Sequence, residues 1–220
     1  MPKTKIAINE YYHIYNRGNN KQNIFFEERD YIRFLFLILH FQGGDTVYNI
    51  GRHVSNYVRH RMFNIDFGKI SKNRKVELLA FALMPNHFHF ILKEKEHGGI
   101  SKYLQRIQNS YTKYINTKNG KIGHLFQGPY QSVHIESNEQ LLHLSAYIHR
   151  NPREIKKWKN QEVDFPWSSF TDYVGENRWE KLLSTELLLS QFKKQKEYKS
   201  FVDESGAKLC LEEKEMIDYV

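Results

Sequence analysis

The sequence predicts an α+β fold built around one antiparallel sheet. Strand-like and helix-like stretches alternate along the chain, and clusters of glycine, asparagine and proline separate them. Two of the strand-like stretches flank Met84-Pro85-Asn86, a short segment that is typical of a hairpin turn. The 220 residues are enough for one sizeable core and a small appendage. We therefore predict a main domain over residues 1–175 and a helical extension over residues 176–220.

The first half of the chain predicts three strands and one helix. Residues 11–16 form a strand that ends at a cluster of turn-forming residues, and residues 27–41 carry apolar side chains at helical spacing. Residues 76–83 and 87–93 are the two strands of the central hairpin. Residues 43–75 hold seven Lys or Arg against two Asp, and we treat them as a basic insertion with no assigned element.

The second half predicts two helices and one strand, followed by the extension. Residues 100–116 form a helix and residues 131–136 a fourth strand. Ser137 begins a capping-box pattern, so a third helix starts there and ends before Pro152. The order β-α-β-β-α-β-α matches a ferredoxin-like, split βαβ antiparallel sheet with one appended helix. Residues 179–203 predict one or two amphipathic helices.

The composition indicates a polyanionic partner. The net charge is +8, the pI is about 9.3 and aromatic residues make up 15% of the chain, a combination that suits phosphates and unpaired bases. The longest apolar run, residues 34–39, is too short to span a bilayer, and residues 1–10 lack the apolar part of a signal peptide. The single cysteine, Cys210, is typical of a reducing compartment. We expect a protein without a membrane partner that acts in the cytoplasm, at the nucleoid.

A pair of histidines in the second strand of the hairpin is the most informative feature. A strand projects alternate side chains to opposite faces, so His87 and His89 share one face while Phe88 and Phe90 point into a core. Two imidazoles placed in this way could hold one metal ion. The alternative is a half-buried strand whose histidines only form hydrogen bonds.

The third helix carries a second polar stripe beside its apolar one. Its apolar face consists of Leu141, Leu144 and Ile148. The neighbouring face carries His143, Tyr147 and Asn151 at intervals of four residues. A tyrosine and a carboxamide one turn apart could both reach a metal held by the histidine pair. Because a tyrosine hydroxyl has a pKa near ~10, a nucleophilic tyrosine needs help, and a divalent ion that polarises a phosphodiester makes attack feasible. The alternative is an ordinary amphipathic helix.

Five segments together resemble a known family. The segment Met84-Pro85-Asn86-His87-Phe88-His89 resembles the HUH motif (His, hydrophobic, His) of single-tyrosine transposases. The segment Tyr147-Ile148-His149-Arg150-Asn151-Pro152 resembles the catalytic segment of their REP-associated branch. Residues 15–20, 123–128 and 166–169 resemble the same branch. The resemblance covers about residues 11–175, in the family's order and spacing.

The resemblance implies a metal-dependent active site. It implies that His87, His89 and Asn151 are metal ligands and that Tyr147 is the nucleophile. The implied ion is Mg²⁺ or Mn²⁺, although imidazole ligands alone would favour zinc, nickel or copper. Tyr111, also on a predicted helix, is the second candidate for the nucleophile. The insertion at residues 43–75 is longer than we expect for the family.

The activity implied by the resemblance is DNA strand transfer. Tyr147 would attack a phosphorus atom in single-stranded or hairpin DNA, giving a 5′-phosphotyrosine and a free 3′-hydroxyl, and a second 3′-hydroxyl would reverse the attack. The chain has no Walker-type segment, in keeping with a reaction that needs no ATP. The protein would act as a monomer or a homodimer. The side chains that we expect to contact DNA are Arg17, Arg59, Arg61, Arg150, Arg153, Lys156 and Lys157.

Two other functions remain open at this point. The first is a catalytically retired transposase that only binds DNA, although neither the tyrosine nor a ligand has been lost. The second is a replication or plasmid-relaxation nicking enzyme with the same HUH core. The Asn151-Pro152 ending and the Trp167-Ser168-Ser169 segment favour the transposase branch.

Overall fold

A four-stranded antiparallel sheet lies at the centre of the fold, in a computed structural model that describes residues 5–206. The strand order is β2-β3-β1-β4, and every neighbouring pair is antiparallel. This is the order of the ferredoxin-like sheet, so the predicted fold class is confirmed. The strands are β1 (Tyr11–Arg17), β2 (Val76–Met84), β3 (His87–Glu94) and β4 (Gln131–His134).

Eight α-helices, within the described residues, surround the sheet. The three helices predicted in the main domain are present, with ends within a few residues of the predicted ones. The helices are α1 (Glu28–His40), α2 (Ile50–His60), α3 (Phe67–Lys72), α4 (Gly99–Asn119), α5 (Asn138–Arg150), α6 (Phe170–Val174), α7 (Glu186–Leu189) and α8 (Gln195–Glu204). Between residues 5 and 206, no helix is both long enough and apolar enough to cross a membrane.

The two faces of the sheet have different partners. Phe88 and Phe90 are fully buried on the face covered by α1 and α4, where the Phe34 ring centroid lies 5.4 and 6.4 Å from theirs. The opposite face, which carries His87 and His89, is covered by α5. Alternation along β3 therefore places the two phenylalanines and the two histidines on opposite faces, as the sequence predicts.

The predicted basic insertion folds into α2 and α3, two helices that the sequence analysis did not assign. Its buried side chains, Val54, Tyr57, Phe63 and Ile70, join the core. Helix α2 packs against α1, which covers the phenylalanine face of the sheet. The insertion therefore lies on the side of the sheet opposite to the histidine pair.

The segment that contains Trp167-Ser168-Ser169 covers the outer edge of β2. The Leu83 amide donates to the Trp167 carbonyl at 2.9 Å, and the Ser169 amide donates to the Phe81 carbonyl at 2.9 Å. The Trp167 ring stacks on the Tyr31 ring with centroids 4.9 Å apart. This pairing occupies hydrogen-bonding groups that an edge strand would otherwise expose.

A close backbone approach at Gly18 joins the end of β1 to the hairpin turn. The Gly18 amide donates to the Asn86 carbonyl at 2.7 Å, and the Ile24 amide donates to the Pro85 carbonyl at 2.8 Å. A Cβ atom added at Gly18 would lie 2.0 Å from the Gln22 carbonyl oxygen, which is backbone and cannot rotate away. Only glycine is compatible with this contact.

We expect Gly18→Ala to lower the free energy of unfolding by about 2 kcal/mol or more, because the backbone must shift to admit the methyl group. Urea denaturation at equilibrium measures the change. Gly44→Ala is the matched control, since its Cβ would come no closer than 3.9 Å to the neighbouring atoms, at Lys75. Equal stability of the two variants would contradict the steric argument.

Candidate active site

The strand register brings the histidine pair beside two residues of β1. In the β1–β3 ladder, Arg17 lies opposite His87, and Tyr15 lies opposite His89. His87 is 5% exposed and His89 is 1% exposed. Directly opposed residues of an antiparallel pair share a face, so all four side chains lie on the face that α5 covers.

Helix α5 places the predicted tyrosine and carboxamide against this pair. The Ser137 hydroxyl caps the helix by accepting from the Gln140 amide at 3.1 Å. The apolar stripe that the sequence predicts is buried and holds the helix on the sheet. At the other end of the helix, the Tyr147 ring lies edge-on to His89 with centroids 5.4 Å apart, and Asn151 Oδ1 lies 3.0 Å from His87 Nε2.

The structure thus brings together the four residues predicted to form the site: His87, His89, Tyr147 and Asn151. His143, the third polar residue of the predicted stripe, is not part of this group. Its ring lies 5.7 Å from the Phe201 ring of α8. The drift of a helix with 3.6 residues per turn separates residues eight positions apart, which accounts for the difference between His143 and Asn151.

His87 faces an oxygen atom at each of its two nitrogens. Its Nδ1 lies 2.7 Å from Asn86 Oδ1, and its Nε2 lies 3.0 Å from Asn151 Oδ1. Asn86 donates through Nδ2 to the Lys21 carbonyl at 3.4 Å, which sets its Oδ1 toward His87. Burial lowers the pKa of His87 to about 4, so at neutral pH the ring carries a single N–H. When Nδ1–H donates to Asn86, the lone pairs of Nε2 and Asn151 Oδ1 face each other.

His89 has one partnered and one unpartnered nitrogen. Its Nδ1 lies 2.9 Å from His13 Nε2, and its Nε2 is buried with no hydrogen-bond partner among residues 5–206. Burial, with His87 and His13 nearby, holds the pKa of His89 well below its usual range. A neutral His89 that donates through Nδ1 leaves a lone pair on Nε2 inside the site.

These atoms suit a divalent metal ion. Two ligand atoms about 2.1 Å from an octahedral ion and at right angles are about 3.0 Å apart, which matches the separation of His87 Nε2 and Asn151 Oδ1. The unpartnered His89 Nε2 is a third donor with a lone pair. Residues 5–206 contain no metal-ligand group of three or more His, Cys, Asp or Glu, and the set proposed here is two imidazoles and a carboxamide.

Sequence reasoning missed two members of this cluster, His13 and Tyr15. His13 is fully buried, and Tyr15 is 7% exposed with its ring centroid 5.8 Å from that of His89. Both alternate along β1 with the core residues Tyr12 and Ile14. The alternation along β1 could be predicted from the sequence, but the pairing of β1 with β3, which brings His13 and Tyr15 to His89, could not.

The loop at residues 123–128 packs against the end of β1. The Gln127 amide donates to the Arg17 carbonyl at 2.9 Å, and the Arg17 guanidinium donates to the Gln127 carboxamide oxygen. Asn16 Nδ2 donates to the Gly128 carbonyl at 3.1 Å. Two of the five motif segments thus hold Arg17 next to His87.

The other predicted cations fall into two groups. Arg150, Arg153, Lys156 and Lys157 lie at and just after the end of α5, where Arg153 pairs with Glu162 at 2.9 Å. Arg59 and Arg61 lie at the end of α2, on the other side of the sheet, and Arg61 pairs with Glu28 at 2.6 Å. Lys156, Lys157, Arg59 and Arg61 are exposed.

Tyr111, the second candidate for the nucleophile, lies elsewhere. Its side chain is fully buried on the phenylalanine face, and its hydroxyl donates to the Ile24 carbonyl at 2.7 Å. Burial raises the pKa of Tyr111 well above its usual value. The sheet separates this tyrosine from the histidine pair.

The sequence and the fold can be compared with those of known proteins. Residues 49–151 match the family model described as transposase, IS200-like. This match confirms the family resemblance that the motifs predict. The chain is similar in fold to a solved REP-associated tyrosine transposase bound to a REP hairpin, with a TM-score of 0.56 and 15% identity over 85% of this chain and 92% of that one. None of the curated protein sequences matches this chain.

Proposed function

We propose that this protein is a metal-dependent transposase that nicks and rejoins single-stranded or hairpin DNA through a 5′-phosphotyrosine. The observation that carries the proposal is the approach of α5 to the histidine pair. It places Tyr147 beside His89 and sets His87 Nε2 and Asn151 Oδ1 3.0 Å apart. The family match and the hairpin bound by the structurally similar protein support DNA as the substrate.

His87, His89 and Asn151 would hold the metal, which is Mg²⁺ or Mn²⁺ in this proposal. When bound, the ion would polarise the scissile phosphodiester and offset its negative charge. His13 would accept from His89 Nδ1–H and so keep the metal-facing nitrogen deprotonated, as a residue behind a ligand usually does. Asn86 would do the same for His87.

Tyr147 would carry the covalent step. Its phenolic oxygen forms a bond to phosphorus while the bond from phosphorus to the 3′-oxygen breaks, and the phenolic proton is lost as the leaving 3′-oxygen gains one. The products are a 5′-phosphotyrosine and a free 3′-hydroxyl, and attack by another 3′-hydroxyl reverses the step and releases Tyr147. Tyr147 lies beside the histidine pair of its own chain, so a monomer would hold a complete site, although a homodimer is compatible with it.

The DNA strand would lie along the cations next to this site. Arg17 is adjacent to His87, and Arg150 directly precedes Asn151. Lys156 and Lys157 follow closely on an exposed turn. These side chains would contact the phosphates of the DNA strand. Arg59 and Arg61 lie on the other side of the sheet, so only a DNA strand long enough to extend past the edge of the sheet would reach them. Action on DNA would place the protein at the nucleoid.

We expect neutralisation of Arg59, Arg61, Lys156 and Lys157 to weaken binding to all single-stranded sequences alike. Each lost phosphate contact should lower the log–log slope of affinity against salt by about 0.7. The double variant with glutamine at Lys156 and Lys157 should lower the slope by about 1.4, which is two contacts at about 0.7 each, because both lysines lie near the site. Fluorescence anisotropy over a salt series measures the slope.

The control for this series is glutamine at Lys193 and Lys194, another exposed lysine pair that is not expected to touch DNA. Its slope should equal that of the unchanged protein. An unchanged slope in the quadruple variant would mean that these charges only solubilise the surface.

The proposed function is tested by incubating the protein with a labelled single-stranded hairpin and Mn²⁺, then separating the products on a denaturing gel. We expect a band that retains the DNA 3′ of the nick on the protein and a released strand with a 3′-hydroxyl. Tight hairpin binding with no cleavage under any divalent ion would instead indicate the retired DNA-binding protein.

A further inference from the structure

A buried polar network lies against α5, on the side of this helix away from the histidine pair. His149 is fully buried, with Nε2 2.8 Å from the Ser169 hydroxyl and Nδ1 2.7 Å from the Tyr198 hydroxyl. Its ring stacks on Phe170 with centroids 5.1 Å apart. A fully partnered histidine in an apolar layer has one orientation, because rotating it would strand buried polar atoms.

The hydrogen-bond inventory fixes the direction of this network. The Ser169 hydroxyl accepts from the Phe81 amide at 2.9 Å and donates to the Phe81 carbonyl at 3.2 Å. Its remaining lone pair can only accept, so His149 must donate through Nε2–H. Nδ1 then accepts, and it shares the single proton of the Tyr198 hydroxyl with the Ser145 hydroxyl. The network ties α5 to the backbone of β2 on one side and to α8 on the other.

His149 sits midway between the two functional residues of the helix end. It follows Tyr147 by two positions and precedes Asn151 by two, and two positions rotate an α-helix by about 200°. A side chain fixed on one side of the helix therefore sets where the opposite side points. Tyr198 also lies 3.0 Å from the Ser145 hydroxyl, so α8 holds two successive turns of α5.

We propose that His149 is a positioning residue, held by Ser169 and Tyr198, that fixes the rotation of the last turn of α5 and so aims Tyr147 and Asn151 at the histidine pair. This rests on the proposed function for its catalytic consequence. It also gives the Ser169 segment and helix α8 one shared role, because both hold the side of α5 that faces away from the histidine pair. Tyr198 and Ser169 each lie within hydrogen-bond distance of His149.

Tyr198→Phe is the sharpest variant, since it removes one hydroxyl and keeps the buried ring. Tyr103→Phe is the matched control. Tyr103 is 2% exposed and donates to the Ile38 carbonyl at 2.6 Å, so Tyr103→Phe loses one buried hydrogen bond on the phenylalanine face, whereas Tyr198→Phe loses the contacts with both His149 and Ser145. His149→Phe should lower the rate of covalent adduct formation more than Tyr198→Phe does. His149→Gln should lower this rate less than His149→Phe does, because the glutamine amide can donate to Ser169.

Two measurements on the full chain test the proposal. The rate of covalent adduct formation at saturating DNA should fall at least about tenfold in Tyr198→Phe relative to Tyr103→Phe, with unchanged DNA affinity. The side-chain amide resonance of Asn151, assigned by its loss in Asn151→Asp, should shift or split in Tyr198→Phe and stay in place in Tyr103→Phe.

The outcomes separate the two proposals. If both variants share one adduct rate and one Asn151 resonance, His149 does not position the helix end and the inference is overturned. If the unchanged protein forms no adduct at all, the proposed function fails, and the Asn151 resonance alone then decides whether the network positions that side chain.

Discussion

Tyr147→Phe is expected to abolish the covalent protein–DNA adduct while leaving hairpin affinity within about twofold. The reason is chemical: the substitution removes the only atom of this side chain that can bond to phosphorus and keeps the ring that packs beside His89. Incubation with a 3′-labelled hairpin and Mn²⁺, followed by a denaturing gel, measures the adduct, and anisotropy measures affinity. The loss should reach the detection limit, since no second nucleophile is proposed.

Tyr15→Phe is the control for this variant, because Tyr15 lies on the same face with its ring centroid 5.8 Å from that of His89. It should keep most of the adduct. Adducts that persist in Tyr147→Phe and vanish in Tyr15→Phe would transfer the role of nucleophile to β1. Tyr111 is not a competing candidate, since its hydroxyl is committed to the Ile24 carbonyl on the other face.

Removal of the metal is expected to have the second largest effect. Excess EDTA should stop cleavage, and Mn²⁺ or Mg²⁺ should restore it, because an unscreened phosphodiester resists attack by an anionic nucleophile. His87→Ala and His89→Ala should each slow cleavage by at least about 100-fold, as expected for the loss of several kcal/mol of electrostatic stabilisation. Calorimetric titration with Mn²⁺ measures the affinity of the site for the metal independently of DNA cleavage.

Asn151 offers a matched pair within this experiment. Asn151→Ala should weaken Mn²⁺ binding, whereas Asn151→Asp keeps an oxygen at the same position, adds charge and should preserve or strengthen it. His124→Ala, in the loop near Gln127, is a histidine control with no proposed metal role. Cleavage that continues undiminished in excess chelator would remove the metal from the mechanism.

The strand and helix periods predicted the four residues that meet at the site. Alternation placed His87 and His89 on one face of β3, and the four-residue spacing placed Tyr147 and Asn151 one turn apart at a helix end. Both are local properties of the chain. The two pairs meet only because of the way α5 crosses the sheet. The family resemblance implied this meeting, whereas residue spacing alone did not.

Three features of the structure were not predicted from the sequence. His13 meets His89 only through the β1–β3 register, across 76 positions of the chain. Gly18 is required by a carbonyl four residues away in a turn whose path could not be foreseen. Helix α2 buries two apolar side chains and helix α3 buries one, so their charged surface masked the helical period.

Peptide mapping of the covalent adduct tests the central claim most directly. Trypsin should release residues 122–150 as one peptide, because no Lys or Arg lies between Lys121 and Arg150. That peptide contains both Tyr130 and Tyr147, so fragmentation by tandem mass spectrometry must locate the nucleotide. We predict a 5′-phosphonucleotide on Tyr147; the same mass on Tyr130, Tyr15 or any residue outside this peptide would contradict the proposed active site.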